Sequence, residues 1–146
     1  MILLGEAATA AFGQRLASLL RPGDVVTLEG DLGAGKSTLA RACIQALAGA
    51  PIEVPSPTFT LVQVYDLPAF ALWHVDLYRL GEPAEVDELG LDEAAFGVLL
   101  IEWPDRLPRG SFPERLHLRL EAVDADRRGL SVEAGPAWQA RAHKLA

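Results

Sequence analysis

One cysteine, Cys43, occurs in 146 residues. A lone thiol excludes an internal disulfide framework and a cysteine-based zinc site, and Cys43 reads as a small core residue on a helix. No run approaches the roughly 18 apolar residues that span a bilayer, and the start carries no basic segment followed by an apolar one. Internal repeats, low-complexity tracts and an interdomain linker are also missing. Basic residues are in deficit: 13 Lys and Arg against 20 Asp and Glu give a formal charge of −7. Contact with a phosphate backbone needs a basic face, so this balance argues against a free-standing nucleic-acid binder; if RNA is involved, a partner is expected to hold it. What is present is hydrophobic to 50%, which predicts one globular domain over 1–146 with a substantial core, of a kind suited to the cytoplasm and not to a membrane.

Against that background one segment stands out. Gly30-Asp31-Leu32-Gly33-Ala34-Gly35-Lys36-Ser37 satisfies the pattern G-x-x-x-x-G-K-[ST]. In a random chain of this length the pattern is expected about once in a few hundred. Its flanks fit as well: 25–29 (Val-Val-Thr-Leu-Glu) reads as a buried strand, and 38–47 reads as a helix with Leu39, Cys43 and Leu47 on one face. Glycines let the backbone curl until successive N–H groups face phosphate oxygens, and the helix N-terminus adds partial positive charge. In such a loop Lys36 reaches the β- and γ-phosphates and Ser37 offers its hydroxyl to Mg²⁺. The segment predicts binding of a nucleoside triphosphate.

The rest of the chain supplies a frame. Phe12, Leu16, Leu19 and Leu20 form one apolar face of an N-terminal helix that Arg21-Pro22-Gly23-Asp24 ends. Residues 59–65 and 69–78 read as strands around a turn at Asp66-Leu67-Pro68. The acidic 82–96 segment reads as helix in two pieces broken at Gly90, and 97–103 reads as a fully buried strand. Between 115 and 122, His117, Arg119 and Glu121 alternate with Leu116, Leu118 and Leu120; 130–134 is expected to pair with that strand, and 136–145 to close the chain as a helix. The sum is an α/β fold: a single P-loop NTPase domain with a mainly parallel central sheet, flanking helices and antiparallel C-terminal strands.

Hydrolysis also needs a carboxylate that organises Mg²⁺ and water. Glu102 ends the apolar run Val98-Leu99-Leu100-Ile101, and Asp76 sits late in Leu72-Trp73-His74-Val75-Asp76. Acidic residues are disfavoured in strands, so each invites an explanation beyond a solvated charge. Ser56-Pro57-Thr58-Phe59 is stiffened by Pro55 and Pro57. Its local chemistry fits a plain rigid loop and also a switch that aims the Thr58 hydroxyl at a γ-phosphate.

Taken in order, GDLGAGKST, PSPTFTLV, HVDLYRL, an acidic stretch with Glu-Leu-Gly, and IEWPDRLP resemble the TsaE (YjeE) family, small bacterial P-loop ATPases required for threonylcarbamoyladenosine modification of tRNA at position 37. The resemblance runs from about Glu6 to Pro108. It implies that Gly33, Ala34, Gly35, Lys36, Ser37 and Thr38 hold the phosphates of ATP, that Ser37 and Glu102 serve Mg²⁺, and that Asp76 is a catalytic carboxylate that orients or deprotonates water. Thr58 would belong to a switch-like loop, and Trp103 matches the family's tryptophan. Glu6 and Arg128 fall roughly where the family meets the rest of the nucleotide. Ser37 stands where threonine is common; both hydroxyls bind Mg²⁺. The implied partners are TsaD and TsaB, with tRNA reached only through their complex, and the implied kinetics are slow hydrolysis alone and faster hydrolysis in the complex. The acidic 82–93 segment reads either as a docking surface or as a solvated helix face.

A small-molecule kinase built on the same loop is the rival reading. It needs an arginine-bearing lid, and neither Arg127-Arg128 nor Arg106 with Arg109 lies in a glycine-rich lid pattern. No N-K-x-D-like segment for guanine appears. His74 reads as structural, since a single nearby carboxylate makes a poor metal set, and His117 and His143 are assigned no role.

Overall fold

The computed structural model describes residues 1–57 and 60–146. Thr58 and Phe59, the centre of the expected switch segment, lie outside the described residues. The strands are β1 (Ile2–Leu4), β2 (Val25–Glu29), β3 (Val62–Asp66), β4 (Ala71–Asp76), β5 (Val98–Glu102), β6 (Leu116–Ala122) and β7 (Arg127–Ala134); the α-helices are α1 (Gly5–Leu19) and α2 (Lys36–Ala48). They build a seven-stranded sheet in the order β1-β7-β6-β2-β5-β4-β3. β6, β2, β5 and β4 run parallel. β7 and β1 extend one side antiparallel, and β3 closes the other the same way.

The expected α/β class and mixed sheet are therefore present. Several local expectations change. β1 is an additional strand, and three residues are too few to show periodicity. β3 is Val62–Asp66, the expected start at 59 lying outside the described residues, and β7 reaches back from 130 to Arg127. The two acidic pieces are 3₁₀ turns at Pro83–Leu89 and Leu91–Ala94, separated where expected by Gly90 in the left-handed region (φ 67°). The closing helix is likewise two short 3₁₀ turns, Pro136–Trp138 and Ala142–Leu145. Tertiary anchors set that path: Trp138 is fully buried, and the Arg141 guanidinium lies 3.9 Å from its ring centroid while making a double hydrogen bond to Asp24 at 2.7 and 2.8 Å.

Alternation along the strands distributes side chains to two layers. Val26 and Leu28 of β2, Val98 and Leu100 of β5, and Leu116, Leu118 and Leu120 of β6 pack under α1 and α2 with Phe12, Leu16, Leu39, Cys43 and Ile44. Cys43 is the core residue expected, its thiol pushed up to about 12 by burial. Val75, Leu99 and Ile101 face the opposite layer, where Val86, Leu91 and Ala94 of the acidic turns cover them. These turns are thus acidic outside and apolar inside. Beyond β2 that second face turns polar: the Thr27 hydroxyl meets His117 Nδ1 at 2.7 Å, and Glu29 pairs with Arg119 at 3.2 Å.

The two helices touch at Gly13. A Cβ there would lie 2.6 Å from the Leu39 carbonyl oxygen, closer than packed atoms tolerate, so α1 rests on the α2 backbone itself.

Candidate nucleotide site

The carboxyl ends of β2, β5 and β4 lie side by side, the position where open parallel sheets bind ligands. β2 runs directly into the phosphate loop, and α2 begins inside it at Lys36. Gly33 and Gly35 hold φ of 81° and 108°, so the loop makes the tight curl that only glycine adopts without strain. Gly35 is the N-cap of α2 and has no side chain to occupy the space before the first free N–H groups.

A cleft of 720 Å³ opens above this loop. Gly33, Gly35, Lys36, Ser37 and Thr38 form its floor; Asp76, Tyr78, Glu102 and Trp103 form one wall. Gly5, Glu6 and Thr9 of α1, with Ala125, Asp126 and Arg128 of the β6–β7 turn, form the other. The sequence-predicted residues thus meet in one place, including Glu6 and Arg128, which no strong motif anchors. The exception is Ala34, whose side chain is buried in the core while its N–H bonds the Asp31 carbonyl at 3.0 Å. Thr58 lies outside the described residues, but its neighbour Ser56 lines the cleft.

Lys36 is buried. Its Nζ donates to the Gly30 carbonyl at 2.5 Å and stands 3.6 Å from the centroid of the Trp103 ring. Burial lowers its pKa below the ordinary 10.5, and the fields of Glu102, Asp76, Asp31 and Asp105 oppose that shift. Trp103 is placed by an unusual backbone, φ 60° and ψ 55°, at the turn leaving β5, and packs against Tyr78 with ring centroids 4.8 Å apart and planes tilted by 47°. Its role here is to cover the lysine, more than ordinary packing.

Glu102 and Asp76 are paired in register across β5 and β4. Asp76 Oδ1 accepts the Tyr78 N–H at 2.9 Å. Glu102 Oε2 lies 2.6 Å from His74 Nε2, with both side chains buried. On the far wall, the Thr38 hydroxyl donates to Glu6 Oε1 at 3.4 Å, Gly5 N–H donates to Asp126 O at 2.6 Å, and Arg128 reaches the Gly33 carbonyl at 3.4 Å. These contacts tie the phosphate loop, α1 and the β6–β7 turn together.

The donor set fits magnesium. The Ser37 hydroxyl and the Glu102 carboxylate both line the cleft and are hard oxygen donors of the kind magnesium takes. Among the described residues no group of three or more His, Cys, Asp or Glu is arranged to hold an ion.

The family model described as Threonylcarbamoyl adenosine biosynthesis protein TsaE matches residues 3–130. The chain belongs to the TsaE family. Relatives bearing the name tRNA threonylcarbamoyladenosine biosynthesis protein TsaE include that of Rickettsia felis, 40% identical over 133 residues, covering 90% of this chain and 78% of the relative. That of Bacillus subtilis is 38% identical over 128 residues, covering 86% of this chain and 79% of the relative. The crystal structure of Bacillus subtilis YdiB superposes with a TM-score of 0.79 at 32% identity, covering 99% of this chain and 91% of that one. Among the described residues of this TsaE-family chain, no helix is long and apolar enough to cross a membrane.

Sequence reasoning missed Thr9, Gly5, Ala125 and Asp126 as cleft residues, because no chemistry distinguishes them until α1 and the β6–β7 turn are brought to the loop. Tyr78 lies inside HVDLYRL, and that motif was the available signal for it.

Proposed function

We propose that this chain is a Mg²⁺-dependent ATPase that serves tRNA threonylcarbamoyladenosine biosynthesis by acting on the TsaB–TsaD pair, without modifying the base itself. The observation that carries the reading is the convergence of a phosphate loop with two strand-end carboxylates, Asp76 and Glu102, in one cleft. Loop N–H groups and Lys36 hold the β- and γ-phosphates, and the covering Trp103 keeps bulk water from the lysine. Ser37 and Glu102 would hold Mg²⁺, which when bound neutralises charge on those phosphates. Asp76 accepts a hydrogen bond from the attacking water and takes its proton as the water oxygen bonds to the γ-phosphorus and the bond to the β–γ bridging oxygen breaks. Glu6 and Arg128 contact the remainder of ATP from the far wall.

A partner that adds groups to such a site completes it, which is the physical reason to expect slow hydrolysis by the chain alone. The test is phosphate release from ATP and Mg²⁺ with no acceptor present, measured for the chain alone and with purified TsaB and TsaD. Slow release that rises with both partners is expected. Phosphate that appears only when a small-molecule acceptor is added would replace this reading with a kinase.

A further inference from the structure

His74 stands behind the cleft: it is buried and does not line it, while Glu102 does. It lies on β4 two residues before Asp76, so the side chains at 74 and 76 project from the same face. In register, Asp76 is opposite Glu102 and His74 is opposite Leu100, so the Glu102 side chain reaches back along the sheet to meet the imidazole. Two neighbouring carboxylates repel each other, and a glutamate has three torsions with which to turn away. Something must fix it. We propose that His74 is a positioning residue for Glu102, donating its Nε2–H to Oε2 and thereby holding Oε1 toward the cleft; this assignment rests on the reading of Glu102 as a magnesium-site carboxylate.

The proton's place follows from satisfaction of buried groups. His74 Nδ1 has no hydrogen-bond partner among the described residues. A carboxylate only accepts, so an ionised Glu102 at 2.6 Å requires the proton on Nε2. Carboxylate–histidine pairs of this kind orient ligands at metal sites, and their loss there lowers activity or metal affinity by about 10- to 100-fold.

Three substitutions separate positioning from packing. Gln places an N–H near the depth of Nε2, Asn stops short of it, and Phe fills the volume without a donor. Steady-state hydrolysis of ATP is expected to show kcat down about 10- to 100-fold in His74→Phe and His74→Asn, with KM within about twofold, and most of the loss restored in His74→Gln. In a Glu102→Ala background, His74→Phe is expected to add nothing further. Parent-like kcat in His74→Phe, or losses that multiply in the double variant, would overturn the assignment.

Two readouts do not depend on turnover. ¹⁵N NMR of the full chain without nucleotide should show a proton on His74 Nε2, and a ring whose Nε2 carries none overturns the proposal. Mn²⁺ affinity, read by EPR with a non-hydrolysable ATP analogue, should fall in His74→Phe and recover in His74→Gln; equal affinity in both overturns it as well. If the parent chain releases no phosphate under any condition, the ATPase reading fails, while these two measurements still decide the role of His74.

Discussion

The two ends of the parallel strands both bury charge, and they treat it differently. At the end where β2 begins, Asp24 and Arg141 close on each other: the guanidinium donates to both carboxylate oxygens and also to the carbonyls of Leu19 and Ala137 at 2.7 and 3.1 Å. Asp24 additionally accepts the Arg21 N–H at 2.7 Å. The bond to Asp24 holds the guanidinium above its ordinary pKa, against the opposing effect of burial. At the end where β2 finishes, Lys36 donates to the Gly30 carbonyl and lies against an aromatic face, its pKa is lowered, and Glu102 and Asp76 stand beside an open cleft. One end pairs its charges within the chain and holds the fold. The other leaves its charges facing an open cleft.

The sharpest way to break this comparison is Lys36→Met. Loss of the charge-assisted contacts to phosphate should weaken ATP binding at least about tenfold, measured by calorimetry, and take phosphate release to background. Binding unchanged from the parent would mean that the lysine is only structural.

Arg141→Ala is the opposite case. Removing one partner of a buried pair leaves the Asp24 carboxylate uncompensated and should cost about 3–5 kcal/mol of stability. That corresponds to a fall in Tm on the order of 10 °C for a chain of this size, seen by thermal unfolding. ATP affinity should stay within about twofold wherever the variant is folded.

The converse measurement sharpens the contrast. Lys36→Met replaces a desolvated ammonium with an apolar chain of similar length, so it should melt at the same temperature as the parent or slightly above it. A large drop would show that Lys36 stabilises the fold as Arg141 does.

The smallest effect is in pH. Because the folded pKa of Lys36 is lowered, the free protein loses that proton before an ordinary lysine at 10.5 would. ATP affinity is therefore expected to decline as pH rises through that lowered value, still below 10.5, and the decline should be absent in Lys36→Met. The linked stability runs the other way: the cost of burying the charge is complete below the folded pKa and is relieved between it and 10.5. Calorimetric titrations across that range check both signs.

The same contrast explains what could be read from the sequence. Phosphate-loop chemistry is local: strand, glycines, Lys36 and Ser37 occupy consecutive positions, so the loop and its two flanking elements are legible directly. Glu102 and Asp76 are legible because a carboxylate is conspicuous at the end of an apolar strand. The closures are not. Asp24 and Arg141 lie 117 positions apart, and His74 and Glu102 lie 28 apart on strands whose register no pattern announces. The chain after 135 was expected as one helix because its apolar spacing is helical. The burial of Trp138 and the bond to Asp24 divide it into two tight turns.

The missing side chain at Gly13 carries a mechanical consequence. Where two helices meet through side chains, a change of rotamer can absorb a shift of one against the other. Where backbone rests on backbone, nothing is available to yield. The phosphate loop opens α2, and α1 supplies Glu6 and Thr9 to the facing wall, so floor and wall are joined in one stiff body.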